Sequence, residues 1–263
     1  TAAISDFNHA IDLTPGSAQA WLYLAQAQLD GGDGEAALES ALKANELDMT
    51  LIPVYLTLAQ AYIDIGRLAD AVAVLQTYRI YEPDDVDAYL TLGLAYNAAE
   101  NYQAALEVLN SFLDEYPRNS EAYTQRGLAY LNLDNPNLAE EDFKKAVSYD
   151  PYDFDAHLGL ARAYFEQGLP GDAYIQAEAN ALPLAKSDGT KAQAYYWMAI
   201  FLEDIDDPLS ELGSRNYWYK LLALPADAMP EEWRTTAYLH LGITPTYTHT
   251  PRRTRTPTAT PTP

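Results

Sequence analysis

A period of 34 residues runs through most of this sequence and constrains its fold more than any other feature. Alanine returns once in each period, at Ala3, Ala37, Ala71, Ala105, Ala139 and Ala173. An aromatic residue or histidine does the same, at Trp21, Tyr55, Tyr89, Tyr123 and His157. Each period ends at a shared position, which is held by Pro15, Met49, Pro83, Pro117 and Pro151. Several columns that coincide at one period indicate a single supersecondary unit repeated along the chain.

Each repeat is predicted to contain two helices. In the third complete repeat, one helical face is formed at i, i+3, i+4 and i+7 by Tyr89, Leu92, Gly93 and Tyr96. A second apolar stripe follows it, with Ala105, Val108, Leu109 and Phe112. The small residue on the first helix and the alanine on the second allow the two backbones to approach closely, and the aromatic residues fill the space around that contact.

This pattern resembles the tetratricopeptide repeat, whose first helix carries W-x₂-L-G-x₂-Y and whose second carries alanine and then proline. The clearest match here runs from Tyr89-x₂-Leu92-Gly93-x₂-Tyr96 to Ala105 and Pro117. The resemblance covers residues 1–242 and implies an all-α, right-handed superhelical solenoid of about fourteen helices.

Three departures from the family pattern predict local differences in packing. Arg126 stands where its column otherwise has leucine. Tyr78 and Phe112 stand where a second small residue is usual, so the helices there should lie further apart. The repeat that begins at Phe154 is lengthened by about four residues around 184–190, so the regularity of the array should decrease from about residue 182.

The composition changes abruptly after residue 242, which divides the chain into a repeat domain, 1–242, and a tail, 243–263. The repeat domain holds 13 basic and 38 acidic side chains, a net charge of −25. The tail is rich in threonine and proline and has a net charge of +3 from Arg252, Arg253 and Arg255. Such a segment cannot form a core of its own, so we expect it to be extended.

The tail resembles the threonine and proline spacers of exported bacterial surface proteins, and that resemblance implies an extracellular or cell-surface location, with the cytoplasm as the alternative. The start at Thr1 suggests a processed or truncated chain. No run of 18 apolar residues is present, so the sequence predicts no membrane span.

The sequence argues against an enzyme and against nucleic-acid binding. The four histidines are scattered, and the chain has no HExxH motif, phosphate-binding glycine loop or nucleophile elbow. The excess of acidic residues would repel phosphates. Carboxylates in the run from Asp30 to Glu35 lack EF-hand spacing, so we interpret that run as a turn in which Asp33 caps the next helix. No cofactor or metal is expected.

The resemblance implies that the first helices line a concave groove that holds extended peptides. The groove residues would be Gln26, Asp30, Gln60, Asp64, Leu94, Asn97, Leu128, Asn132, Arg162 and Glu166. The lysine with which chaperone-binding members hold a C-terminal carboxylate is replaced by Leu22, Leu56 and Leu90, so that clamp does not carry over. Amides and carboxylates suit a neutral or basic extended peptide. The simpler interpretation is a solvated helix face.

Both ends of the array consist of half a repeat. The chain opens with a second helix that lacks its partner, and it closes with a first helix that lacks its own. Truncation at the start and an ordinary capping helix at the finish would account for these half-repeats. The other interpretation, which we take as the prediction, is a structural protein whose subunits stack head to tail into an extracellular filament, with the tail contacting a neighbour. The side chains expected at that junction are Ile4, Phe7, Ile11, Trp233, Tyr238 and Leu241. The alternative is a peptide-binding adaptor that recruits another protein through its groove.

Overall fold

The computed structural model describes residues 2–243, without the side chains of Ala2, Val86 and Asp87. Within that range the backbone is all-α, with fourteen α-helices and no strand, which confirms the predicted fold class. None of the described helices is long and apolar enough to cross a membrane. The chain divides into two units, an N-terminal unit that ends at Lys186 and a C-terminal unit that begins at Ser187.

The N-terminal unit contains eleven of these helices. They are α1 (Ala2–Leu13), α2 (Ala18–Asp30), α3 (Gly34–Leu47), α4 (Pro53–Asp64), α5 (Leu68–Tyr81), α6 (Val86–Ala98), α7 (Tyr102–Glu115), α8 (Ser120–Asn132), α9 (Pro136–Tyr149), α10 (Phe154–Glu166) and α11 (Pro170–Gln176). The C-terminal unit contains α12 (Asp188–Glu203), α13 (Pro208–Leu222) and α14 (Glu231–Leu241).

In the N-terminal unit the helices form antiparallel pairs, each made of a first helix and the second helix that follows it. The first helices α2, α4, α6, α8 and α10 also contact one another in sequence order. They therefore form a continuous layer. The second helices α3, α5, α7 and α9 pack between successive first helices. Helix α1 is a second helix that packs on α2.

The small residues of the first helices allow the close approach that the sequence predicts. A Cβ atom placed on Gly127 would lie 2.9 Å from the ring of Phe143, and one on Gly93 would lie 2.7 Å from Leu109. Phe143 is completely buried between α8 and α10, because it also contacts Gly159. Burial of one such side chain contributes roughly 1.5–3 kcal/mol.

The turn between the two helices of each repeat contains one residue in the left-handed region. This position recurs every 34 residues, at Gly32, Gly66, Glu100, Asp134 and Gly168, with φ between 57° and 78°. In the first of these turns Asp33 accepts a hydrogen bond from the backbone N–H of Ala36 at 3.1 Å, as the turn interpretation predicts. Two repeats thus place a side chain where glycine is favoured.

Arg126 stands in a column that otherwise holds leucine, and it forms a buried ion pair with Asp142. Its guanidinium donates two hydrogen bonds to Asp142, at 2.7 and 2.8 Å, and a third to Asn110. Asp142 is 2 % exposed, and two of the other second helices, α5 and α7, carry Val74 and Val108 at the equivalent position. Burial acts to lower the pKa of Arg126, but the hydrogen bond and charge of Asp142 outweigh it, so the pKa is raised.

The predicted lengthening near residue 184 begins in the backbone at Ala177. After α11 the chain forms a π-helical turn, Ala177–Ala181, and then a 3₁₀ turn, Leu182–Leu184. Ser187 then starts α12 with a capping box in which its side chain and that of Thr190 each accept a backbone hydrogen bond from the other residue.

The C-terminal unit is built on the α12–α13 pair, with α14 packed on α13. Met198, Phe201, Trp218 and Leu221 are almost fully buried in its core. Glu203 joins the three helices, because its carboxylate accepts hydrogen bonds from Ser214 and Trp218 and pairs with His240 at 2.9 Å.

Candidate protein-binding face of the first helices

The structure places the predicted groove residues on the five contacting first helices. One residue per helix shares the same register, in the series Gln26, Gln60, Leu94, Leu128 and Arg162. A second series lies one turn later, with Asp30, Asp64, Asn132 and Glu166. We call the surface formed by these residues and Asn97 the first-helix face.

Some of the amides on this face already have partners within the fold. Asn97 bridges α6 and α8, because its Nδ2 donates to the backbone carbonyl and side-chain oxygen of Gln125 at 2.8 and 3.1 Å. Asn132 donates to the carbonyl of Leu128, and Gln60 donates to Asp64. These amides are therefore less available to a ligand than the sequence alone indicates, but the Oδ1 of Asn97 is buried without a partner among the described residues.

A polar cleft of about 450 Å³ opens between α8 and α10. It is lined by Asn119, Ser120, Glu121, Thr124, Gln125, Asp150, Asp153 and Asp155. Thr124 donates to Asp153 at 2.8 Å, which ties the cleft wall of α8 to the start of α10. Desolvation raises the pKa of Asp155, and the charge of Asp153 adds to this.

Sequence reasoning missed this cleft, although one signal was available. Glu121 and Asp155 lie 34 residues apart in the first turns of α8 and α10, so they share a register. Thr124 lies one helical turn after Glu121, in the column that holds Leu22, Leu56 and Leu90 elsewhere. The change from leucine to threonine marks the place where the apolar column becomes polar.

Arg162 is the basic residue of the first series. Desolvation lowers the pKa of its guanidinium, and the carboxylate of Glu166, one turn later, partly offsets that shift. The charges of these two residues are thus partly balanced on α10 itself. The remaining carboxylates in the two series, Asp30 and Asp64, leave the face acidic.

At the start of the chain, the predicted junction residues lie on α1. Ile11 is buried, and Ile4 and Phe7 are half-buried. Phe7 occupies the column of Phe143, but only one side of its ring is covered in the same way, by Tyr23 at 5.7 Å between ring centroids. In the described part of the chain, no first helix precedes α1 to cover the other side as α8 covers Phe143.

At the end of the repeat domain, most of the predicted junction residues pack within the C-terminal unit. Trp233 stacks on Tyr196 at 4.7 Å, Leu241 is 7 % exposed, and Tyr238 is half-buried. The exposed apolar side chain on α14 is instead Leu239, at 74 %. The tail residues Arg252, Arg253 and Arg255 lie outside the described residues.

His157 is held by the fold, as its place in the aromatic column suggests. Its Nε2 lies 3.0 Å from the carbonyl oxygen of Pro151, and its Nδ1 lies 3.0 Å from the side-chain nitrogen of Gln176. A neutral ring that donates through Nε2 and accepts through Nδ1 satisfies both contacts.

Solved structures with the same fold are numerous, and three illustrate the range. A thermophilic TPR protein from Thermus thermophilus is 24% identical with a TM-score of 0.61, covering 69% of this chain and 98% of its own. YrrB, described as a TPR protein with an unusual peptide-binding site, is 21% identical with a TM-score of 0.51, covering 68% and 91%. The APC/C hetero-tetramer Cut9–Hcn1 is 17% identical with a TM-score of 0.73, covering 90% and 46%.

Comparison of the sequence with models of protein families shows to which family the chain belongs. A search of curated proteins returned no match. Two models described as tetratricopeptide repeat match the chain, one over residues 1–50 and 56–120 and the other over residues 120–153. These matches span more than half of the 263 residues, and the helix pairs, small-residue contacts and repeated turns agree with them. The chain therefore belongs to the tetratricopeptide repeat family.

Proposed function

We propose that this protein is a non-enzymatic interaction scaffold whose N-terminal unit binds an extended peptide of neutral or basic character on the first-helix face. The observation that carries the proposal is the register of that face, because five successive first helices in contact each present a side chain at the same position. Such a row offers an extended ligand a series of contacts at regular intervals. The peptide-binding site named for YrrB supports this use of the fold.

The charge of the first-helix face, together with that of the cleft between α8 and α10, favours a basic ligand. Asp30 and Asp64 on the face, and Glu121 and Asp155 in the cleft, contribute exposed carboxylates. A lysine or arginine of the ligand would supply the missing counter-charge. The chain's own tail, residues 243–263, is proline-rich with a net charge of +3, and we propose it as one such ligand.

Isothermal titration calorimetry tests this function with a synthetic peptide of residues 243–263 and a protein that ends at Gly242. We expect weak binding that decreases with added salt, since exposed charges are screened. The double variant Glu121→Gln with Asp155→Asn should weaken binding. A matched control, Glu35→Gln with Glu39→Gln, removes two exposed charges from the second helix α3 and should bind as the parent does. Equal binding by both variants would argue against the site.

A second candidate function is head-to-tail assembly into an extracellular filament, and one observation favours it. Phe143 is completely buried between two first helices, whereas Phe7, in the same column, is only half-buried. A first helix supplied by another subunit would complete the burial of Phe7. Helix α14 is a first helix with an exposed apolar residue, Leu239, and we propose it as the element supplied.

Negative-stain electron microscopy with light scattering tests assembly on the full chain and on the version that ends at Gly242. Filaments that disappear in the double variant Phe7→Asp with Leu239→Asp would support the junction. Trp233 is avoided, because its stacking on Tyr196 makes its loss a defect of the fold. Filaments that weaken on tail removal would support a contact between the tail and a neighbour. Monomers under all conditions would contradict assembly.

We also propose an extracellular or cell-surface location, which the threonine and proline composition of the tail supports. Protease treatment of intact cells tests it, because a surface protein is degraded while cytoplasmic markers persist. Survival of the protein in intact cells, with degradation after lysis, would place it inside the cell.

A further inference from the structure

Helix α13 has two apolar faces, of which the fold uses only one. The inner face carries Ser214, Tyr217, Trp218 and Leu221, all buried in the C-terminal unit. The outer face carries Leu209, Leu212 and Tyr219, which are 77%, 67% and 51% exposed. A helix of a monomeric protein normally turns polar residues outward, so three large apolar side chains in one exposed row call for an explanation.

The outer row has the spacing of a helix-pairing seam. Leu209, Leu212, Asn216 and Tyr219 follow one another at intervals of three, four and three residues, which is the a/d pattern of a coiled coil. They line a cleft of about 570 Å³ together with Gly213 and Arg215. Asn216 places a single amide in the seam, a feature that fixes the register of paired helices.

The seam is flanked by basic residues, although the chain as a whole carries a net charge of −22. Arg215 and Lys220 occupy the flanking g and e positions. Both are exposed, and Arg215 forms no ion pair with any residue in the described part of the chain. Charges at these positions determine which helix is accepted as a partner.

A second copy of α13 fits this surface poorly. Parallel pairing would place Arg215 of one copy against Lys220 of the other, and antiparallel pairing would place each cation against its own equivalent. Both arrangements bring like charges together across the seam. The complementary partner is a helix with carboxylates at its flanking positions.

We propose that the outer face of α13 docks an amphipathic helix of another protein, with apolar residues at its seam and glutamate or aspartate at its flanks. This surface lies on different residues from the first-helix face. It would give the scaffold a second binding site, selective for an acidic helix where the first is selective for a neutral or basic extended chain.

Fluorescence anisotropy with the full chain tests the proposal. The probe is a labelled three-heptad peptide with leucine at a and d and glutamate at e and g, whose own charges oppose self-pairing at neutral pH. A contact of one helix face is small, so we expect a Kd on the order of 10–100 µM. A control peptide with lysine at e and g should bind at least about tenfold more weakly, and the double variant Arg215→Glu with Lys220→Glu should reverse that preference.

A second pair of variants separates docking from folding. Leu212→Asp should weaken binding of the glutamate peptide at least about tenfold, whereas Ile175→Asp, at a similarly exposed apolar residue on α11, should leave its affinity unchanged. Circular dichroism should show native helix in both. Equal binding of the two peptides, binding of neither, or indifference to Leu212→Asp would overturn the proposal. A dimer of the full chain that Leu212→Asp dissociates would also overturn it, by assigning the surface to a second copy.

Discussion

The hydroxyl of Tyr89 donates a hydrogen bond to the carbonyl oxygen of Pro83, 2.9 Å away and six residues earlier. The same bond recurs in every complete repeat of the N-terminal unit. Its other pairs are Trp21 to Pro15, Tyr55 to Met49, Tyr123 to Pro117 and His157 to Pro151, at 3.0–3.4 Å. The aromatic column thus accepts tryptophan, tyrosine or histidine because each can donate through its ring or hydroxyl.

Removing one of these bonds should cost stability without disturbing the packing. Tyr89→Phe keeps the ring, over which the guanidinium of Arg79 lies at 4.6 Å, but loses the donor. We expect the free energy of unfolding to fall by about 0.5–1 kcal/mol. Urea denaturation followed by circular dichroism measures this change. Tyr152→Phe, at a side chain that is 80% exposed, is the control and should be neutral.

The buried pair of Arg126 and Asp142 should show strong coupling. Arg126→Leu restores the leucine of the column but leaves a buried carboxylate unpaired, so we expect a loss of about 3–5 kcal/mol. Adding Asp142→Val, which introduces the residue that α5 and α7 carry at the equivalent position, should recover most of that loss. Chemical denaturation of the two single variants and the double variant gives the coupling energy. Additive losses would contradict the pairing.

The left-handed turn position offers a route to higher stability. Glu100 has φ of 57°, where three of the five repeats have glycine, so Glu100→Gly should stabilise the protein by up to about 1 kcal/mol. Asp134→Gly should gain less, because aspartate tolerates this region better than glutamate does. Differential scanning fluorimetry would detect the shift. The reciprocal change Gly66→Glu should lower the melting temperature, and a rise would refute the argument.

The C-terminal unit should lose stability in alkaline solution through Tyr196. Desolvation raises the pKa of this phenol above its usual 10, with help from Glu232 and Glu203. The folded state therefore holds the proton more tightly than the unfolded state does. The stability is complete below pH 10 and declines as the pH rises from there through the raised pKa.

The variant Tyr196→Phe keeps the stacking partner of Trp233 and should remove this part of the alkaline decline. Tryptophan fluorescence between about pH 8 and 11, with urea added, mainly follows the unfolding of this unit, which holds three of the four tryptophans. Tyr152→Phe serves again as the exposed control and should follow the parent curve. Identical curves for parent and Tyr196→Phe would contradict the prediction.

The fold was predictable because the same packing problem is solved many times along the chain. Columns such as the one that ends in Ala173 place the same residue type at the same contact in repeat after repeat. So many agreements at one period do not arise by chance. The left-handed turn position was not predictable in every repeat. Glycine indicates a positive φ, but Glu100 and Asp134 adopt the same conformation without that indication. The surfaces proposed for interaction were harder still to predict, because Leu239 and Leu212 differ from core leucines only in being exposed, which the sequence does not show.

The hydrogen bond from the aromatic column has a consequence for the length of the turns it crosses. In all five pairs the donor follows the acceptor carbonyl by six residues, so we expect one residue more or fewer between two repeats to break the bond. The series ends at His157, and the added residues of this chain enter only beyond it, in the π-helical and 3₁₀ turns that precede Ser187. Variation in repeat length is therefore confined to the stretch of chain where this bond no longer constrains the junction.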